Sequence, residues 1–116
     1  FNLNNLEAGA DSRSDDKGSE PEGVAVGVLG GKPYAFVGLE RDGGVMIFDL
    51  SDPAHPKPVG YATTRNDDLP PTDPESGDQG PEGVLFIPAA TSPNGKPLLI
   101  VSYETSGTTR IWQIVE

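Results

Sequence analysis

A tetrapeptide that returns 60 residues further on is the feature that most narrows the folds open to this chain. Pro21-Glu22-Gly23-Val24 recurs as Pro81-Glu82-Gly83-Val84. A second anchor, Gly31-Lys32-Pro33, recurs as Gly95-Lys96-Pro97, and from there the copies keep step at an offset of 64. Tyr34-Ala35-Phe36-Val37 matches Leu98-Leu99-Ile100-Val101, Glu40 matches Glu104, Gly43 matches Gly107, and Ile47-Phe48 matches Ile111-Trp112. The change of offset lies in a longer loop, Pro88 to Asn94, in the second copy. Anchors kept in order at a fixed spacing mark an internal repeat.

Each copy reads as consecutive short strands rich in β-branched and aromatic residues. The first copy predicts strands at Val24–Val28, Tyr34–Leu39, Val45–Leu50 and Pro58–Thr64. The second predicts Val84–Ile87, Leu98–Tyr103 and Arg110–Ile114. Turn residues separate them, notably Gly30-Gly31-Lys32-Pro33, Asp42-Gly43-Gly44, Ser51-Asp52-Pro53 and Pro93-Asn94-Gly95. No segment carries a helical period. The 12 prolines and 15 glycines favour the same outcome, short strands joined by turns.

Four antiparallel strands per repeat is the blade of a β-propeller. The expectation is therefore an all-β chain in four parts. Residues 1–20 form an acidic connector, 21–64 a four-stranded blade, 65–80 an acidic Pro-rich loop and 81–116 a final blade of three strands. A blade short of its fourth strand is what a ring shows when a strand from elsewhere closes it. The reading is thus of two C-terminal blades of a larger propeller, with the remainder of the ring supplied by the same polypeptide or a companion chain. A plain two-repeat sandwich is the alternative, and it leaves both flat faces uncovered. The sequence starts at Phe1 rather than Met, so a native N-terminus and any targeting segment are expected upstream.

The formal net charge is −10. It disfavours nucleic acid, whose phosphates need Lys and Arg, and an anionic membrane surface. No apolar run approaches a membrane span. The chain has no cysteine, which removes disulfides and thiolate metal sites.

The carboxylates are placed by the repeat. Glu22 stands just before the first predicted strand of its blade and Glu40 just after the second. Pairing Val24 with Leu39 across that hairpin sets Glu40 opposite Gly23, beside Glu22. The same construction sets Glu104 beside Glu82. Four glutamates are then expected on one face of the ring, and the acidic loops reaching that face carry Asp15, Asp16 and Asp78. Like charges so placed raise each other's pKa unless a cation lies between them. Ca²⁺ suits such a set, since it takes several carboxylate and carbonyl oxygens in a flexible shell. Arg13, Lys17 and Arg41 are the protein's own counter-ions, and hydrogen bonds from loop N–H groups are the alternative use for each glutamate.

Other residues carry less. His55 sits in the turn Asp52-Pro53-Ala54-His55-Pro56 without a Ser or Cys partner, which reads as a surface turn capped by Asp49, Ser51 and Asp52. Gly43-Gly44 is a turn, not a phosphate loop, because no Lys-Ser/Thr follows. Trp112, in the place of Phe48, reads as core between blades.

The run Asp11-Ser12-Arg13-Ser14-Asp15-Asp16-Lys17-Gly18-Ser19-Glu20-Pro21-Glu22-Gly23-Val24 resembles the choice-of-anchor I propeller proteins. So do Tyr34-Ala35-Phe36-Val37-Gly38-Leu39-Glu40-Arg41 and Gly80-Pro81-Glu82-Gly83. That family is secreted or surface-anchored and is related to esterase-like phytase propellers, some labelled alkaline phosphatases. The resemblance implies a seven-bladed ring, an extracytoplasmic location and two open roles. One is a Ca²⁺-dependent phosphoric-ester hydrolase, in which Glu22, Glu40, Glu82 and Glu104 face the metal and Lys17 and Arg41 face phosphate. The other is a non-catalytic surface propeller that binds partners in a cell-envelope complex and uses metal as a staple.

Overall fold

A computed structural model describes residues 18–66, 69 and 73–115. The expected strands are all present, each within a few residues of its predicted ends. They are β1 (Pro21–Leu29), β2 (Lys32–Leu39), β3 (Val45–Asp49), β4 (Lys57–Ala62), β5 (Pro81–Ile87), β6 (Leu98–Tyr103) and β7 (Thr108–Gln113). Helix among the described residues amounts to two single 3₁₀ turns, Pro74–Ser76 and Ala89–Thr91. The strands form two antiparallel meanders, a four-stranded sheet in the order β1-β2-β3-β4 and a three-stranded sheet in the order β5-β6-β7.

The register of the first hairpin differs from the expected one. Val24 faces Val37, not Leu39, and Leu39 faces Pro21. The two pairings are reconciled by a bulge between Pro21 and Val24, where one strand carries an extra residue. The same irregularity recurs between Pro81 and Gly83, with Val84 facing Val101 and Pro81 facing Tyr103. The repeat therefore extends to a backbone feature that side-chain pattern does not reveal.

Strand alternation and pairing assign every residue to one of two faces. Ala25, Gly27, Phe36 and Ile47 share the face of the first sheet that meets the second sheet. Val84, Phe86, Leu99, Val101 and Trp112 share the face that meets it in return. Phe36, Val45, Leu99, Val101 and Tyr103 are the buried core between them, and Ile47, Val84, Phe86 and Trp112 pack around it. The Phe36 and Phe86 rings stack with centroids 5.7 Å apart and planes 12° from parallel. The sheets lie closest along β1 and β5. Two glycines permit that approach. A Cβ on Gly23 would fall 2.2 Å from the Glu82 carbonyl oxygen, and one on Gly27 would fall 2.5 Å from the Phe86 ring.

The loop between the sheets is not merely a solvated tether. Asp78 is 5% exposed and Gln79 is buried with it. The Asp78 carboxylate accepts hydrogen bonds from Thr64 Oγ1 (2.8 Å) in the first repeat and from Thr108 Oγ1 (2.8 Å) in the second. Arg110 Nε also donates to it. Burial would raise the Asp78 pKa, but the bonds from Arg110, Thr108 and Thr64 outweigh it and hold the carboxyl below the ordinary aspartate value. The Arg110 guanidinium in turn lies over the Trp112 ring, 5.6 Å from its centroid.

Two outcomes follow from this packing. Gly27→Ala should lower stability by about 1–3 kcal/mol, the usual cost of overpacking, read as a fall in thermal midpoint. The depressed Asp78 pKa contributes stability above about pH 4 that is lost as pH falls through the folded value. Asp78→Asn should remove that part of the acid dependence and cost about 1–3 kcal/mol at neutral pH. Acid titrations of both proteins by circular dichroism check it.

Candidate functional site

The mouth of the β1–β2 hairpin gathers the acidic residues of the first repeat. Pairing continues beyond the bulge, since Glu40 N–H donates to the Glu20 carbonyl (3.0 Å) and Arg41 N–H to the Ser19 carbonyl (3.1 Å). These bonds bring Glu20, Glu22 and Glu40 together, with one carboxylate oxygen from each lying within 4.8 Å of the others. Glu20 and Glu40 are half-buried and Glu22 is exposed. Arg41 Nε donates to Glu20 Oε2 at 3.0 Å.

This arrangement perturbs Glu40. Burial raises its pKa first. The neighbouring Glu22 raises it further by charge and by a shared hydrogen bond, Glu20 adds to the rise, and Arg41 opposes it. Two carboxylates side by side, with the nearby guanidinium directed at a third, favour a proton or a cation between them. Oxygen donors of this kind and number suit a hard divalent ion.

Glu20 is a member of this cluster that the sequence reading left out. Its backbone is left-handed, with φ of 54°, a conformation that costs a residue with a Cβ about 1–2 kcal/mol. Gly80 fills the matching position in the second repeat with φ of 71° and accepts from Glu104 N–H at 2.7 Å. A Cβ on Gly80 would meet Thr105 Oγ1 at 2.3 Å. Thr105 in turn matches Arg41 at the offset of 64. The first repeat thus replaces a Gly/Thr pair with a Glu/Arg ion pair, at some cost to the backbone. That substitution within the repeat was the available signal for Glu20.

The remaining expected ligands are distributed more widely. Glu82 and Glu104 occupy the equivalent mouth of the β5–β6 hairpin, and both are exposed. Among the described residues they join no group of three metal-ligating side chains. Asp78 lies in the buried network between the sheets, its oxygens engaged by Thr64, Thr108 and Arg110. Asp15, Asp16 and Lys17 lie outside the described residues. Arg41 is held by Glu20.

The turn after β3 is capped as expected. Ser51 donates through N–H (2.8 Å) and Oγ (2.6 Å) to Asp49 Oδ1, which lowers the Asp49 pKa. Asp52 Oδ1 accepts from Ala54 N–H (3.2 Å), and His55 Nδ1 lies 3.1 Å from Asp52 Oδ2 at the surface. Trp112 packs against the core, as its match with Phe48 implied. Among the described residues no helix is long and apolar enough to cross a membrane.

Comparison with known proteins agrees with the resemblance noted in the sequence. Gigasin-3a of Magallana gigas is 30% identical over 110 residues, which cover 90% of this chain and 39% of that relative. The chain thus spans about two-fifths of the length of the curated relative it matches. No solved structure matches significantly. The sequence model of the choice-of-anchor I domain matches residues 1–53. That stretch, which carries Glu20, Glu22, Glu40 and Arg41, is similar to the choice-of-anchor I domain family.

Proposed function

We propose that the chain is a pair of adjacent blades in an extracellular or cell-surface β-propeller, and that the mouth of its first hairpin binds Ca²⁺. The observation that carries the metal reading is the convergence of Glu20, Glu22 and Glu40 within 4.8 Å. Glu22 and Glu40 together match the charge of a divalent ion, and Glu20 is already anchored by Arg41. A flexible carboxylate shell open to solvent on the Glu22 side suits calcium better than the smaller, stricter magnesium. The propeller reading is supported by two like sheets stacked most closely along their first strands, β1 and β5, as slices of a ring would be.

The binding role is favoured over the hydrolytic one by the state of Arg41. Among the described residues it is the cation expected to face phosphate, and its Nε is directed at Glu20 instead. The ion would then fix the hairpin mouth and the strand leading into it, and offer an ordered acidic edge to a partner in an envelope or extracellular assembly. The location is carried by the family match over residues 1–53.

Calorimetric titration of the chain with Ca²⁺ should show binding. Glu22→Gln and Glu40→Gln should each weaken it by at least about 10-fold, the lower end of the loss that mutating even an outer-shell partner of a metal ligand causes. An unchanged isotherm in both variants would overturn the metal reading. Release of phosphate from a chromogenic ester, abolished by chelator and restored by Ca²⁺, would overturn the non-catalytic role in favour of hydrolysis.

A further inference from the structure

The loop between β5 and β6 holds a reactive pair that the acidic mouth does not use. Asn94-Gly95 is one of two places in the chain where an Asn or Asp precedes glycine, the other being Asp42-Gly43. At such a pair the glycine amide nitrogen can attack the preceding side-chain carbonyl, because no Cβ crowds its approach. The fold separates the two pairs. Asp42 is 2% exposed, and Gly43 N–H donates to the Leu39 carbonyl at 2.8 Å. A Cβ on Gly43 would lie 2.9 Å from Arg65 Cδ, so that turn is closely packed as well. Asn94 is exposed. Among the described residues, no heavy atom beyond the chain neighbours lies within 4 Å of where a Gly95 Cβ would project. The Gly95 N–H has a 3.3 Å contact with the Ser92 carbonyl, longer than an ordinary N–H···O bond.

The Asn94 side chain is also activated. Its Oδ1 accepts from Ser92 Oγ at 2.9 Å and from Lys96 N–H at 3.0 Å. Two donors on one amide oxygen draw electrons from Cγ, and they are in place to hold the negative charge that an attack on Cγ puts on that oxygen. Nδ2, the nitrogen that would leave, donates to Gln113 Oε1 at 3.3 Å at the end of β7 and so fixes the side chain across the loop.

We infer that Asn94 is a site of self-modification, converted to aspartate and isoaspartate through a cyclic succinimide. The Gly95 amide nitrogen gives its proton to solvent base and forms a bond to Asn94 Cγ. The Cγ–Nδ2 bond then breaks, and the side-chain nitrogen takes a proton from solvent and leaves as ammonia. Water opens the ring in one of two ways. Breaking the new bond to Cγ restores the ordinary chain with aspartate at this position. Breaking the bond to the Asn94 main-chain carbonyl carbon routes the chain through the side chain as isoaspartate. One water is consumed and one ammonia released, and no oxidant or reductant is needed. Either product adds a negative charge to a chain already at −10. The new carboxylate can no longer donate to Gln113, and isoaspartate also lengthens the main chain in the loop that joins β5 to β6. The site lies at the Ile87–Leu98 end of that hairpin, opposite the Pro81–Tyr103 end that carries Glu82 and Glu104, and it is independent of the calcium reading.

The chain would be held for several weeks in warm, mildly alkaline buffer beside Ser92→Ala, Ser92→Thr and Asn94→Gln, with circular dichroism confirming that each is folded. Peptide mass spectrometry should show a gain of about 1 Da at Asn94, the replacement of a side-chain NH₂ by OH. Asn66, which precedes Asp67, should lag far behind. Ser92→Ala should slow the conversion several-fold in the folded chain and leave it unaltered in urea, where the hydroxyl is no longer held against Oδ1. Ser92→Thr, which keeps the hydroxyl, should restore the rate. Labelling by an isoaspartyl methyltransferase should mark the aged chain and largely spare aged Asn94→Gln. An Asn94 that keeps its mass, an Asn66 that converts as fast, or a folded Ser92→Ala chain that converts at the original rate would each overturn the inference.

Discussion

The separation between β1 and β5 sets the rest of the architecture. Gly27 has no side chain, and the Phe86 ring occupies the space where its Cβ would project. Gly23 does the same for the Glu82 carbonyl. With the first strands that close, Phe36 can stack on Phe86 and the core residues Val45, Leu99, Val101 and Tyr103 can close behind them. The outer strands lie apart, because the sheets approach chiefly along β1, β2 and β5. A wedge of this kind suits the ring proposed above, in which the apolar outward faces of the two sheets would be covered.

The same geometry ties the acidic mouth to the packing. The bulge after Pro21 shifts the pairing so that Glu20, rather than Gly23, lies against Glu40. Gly23 meanwhile contacts the neighbouring strand, so the backbone that carries Glu22 is fixed by the sheet interface. On the far side of the molecule's connecting loop, Asp78 draws Thr64 and Thr108 to one carboxylate and so links the end of one repeat to the third strand of the next. Carboxylates of similar appearance in the sequence thus perform different work. Asp78 is a buried clamp held by Thr64, Thr108 and Arg110, whereas Glu22 crowds Glu40 and raises its pKa.

Much of the fold was legible in the sequence because the repeat could be read twice. A strand ambiguous in one copy, such as Tyr34–Leu39, is confirmed by Leu98–Tyr103 in the other, and the turns fall at Gly and Pro in both. The hairpin register was not legible. Val24 and Val37 form the observed pair because a bulge absorbs a residue near Pro21, and neither alternation nor turn composition announces that. The pair Glu22 and Glu40 was placed at the right end of the right hairpin even so, because both flank the same mouth. Glu20 was missed since its role depends on a left-handed backbone, although its match with Gly80 hinted at one. Asp78 was read with the other acids because sequence does not show that Thr64 and Thr108 converge from both repeats.

The central claim is that two repeats stack face to face through the β1–β5 approach, and a double-mutant cycle on Phe36 and Phe86 tests it most directly. Stability of the chain, of Phe36→Leu, of Phe86→Leu and of the double variant would be measured by denaturant unfolding. The stacked rings predict a coupling of about 0.5–1.5 kcal/mol between the two positions. Additive losses, with no coupling between residues that lie in different sheets, would contradict the stacking and with it the reading of the chain as adjacent blades.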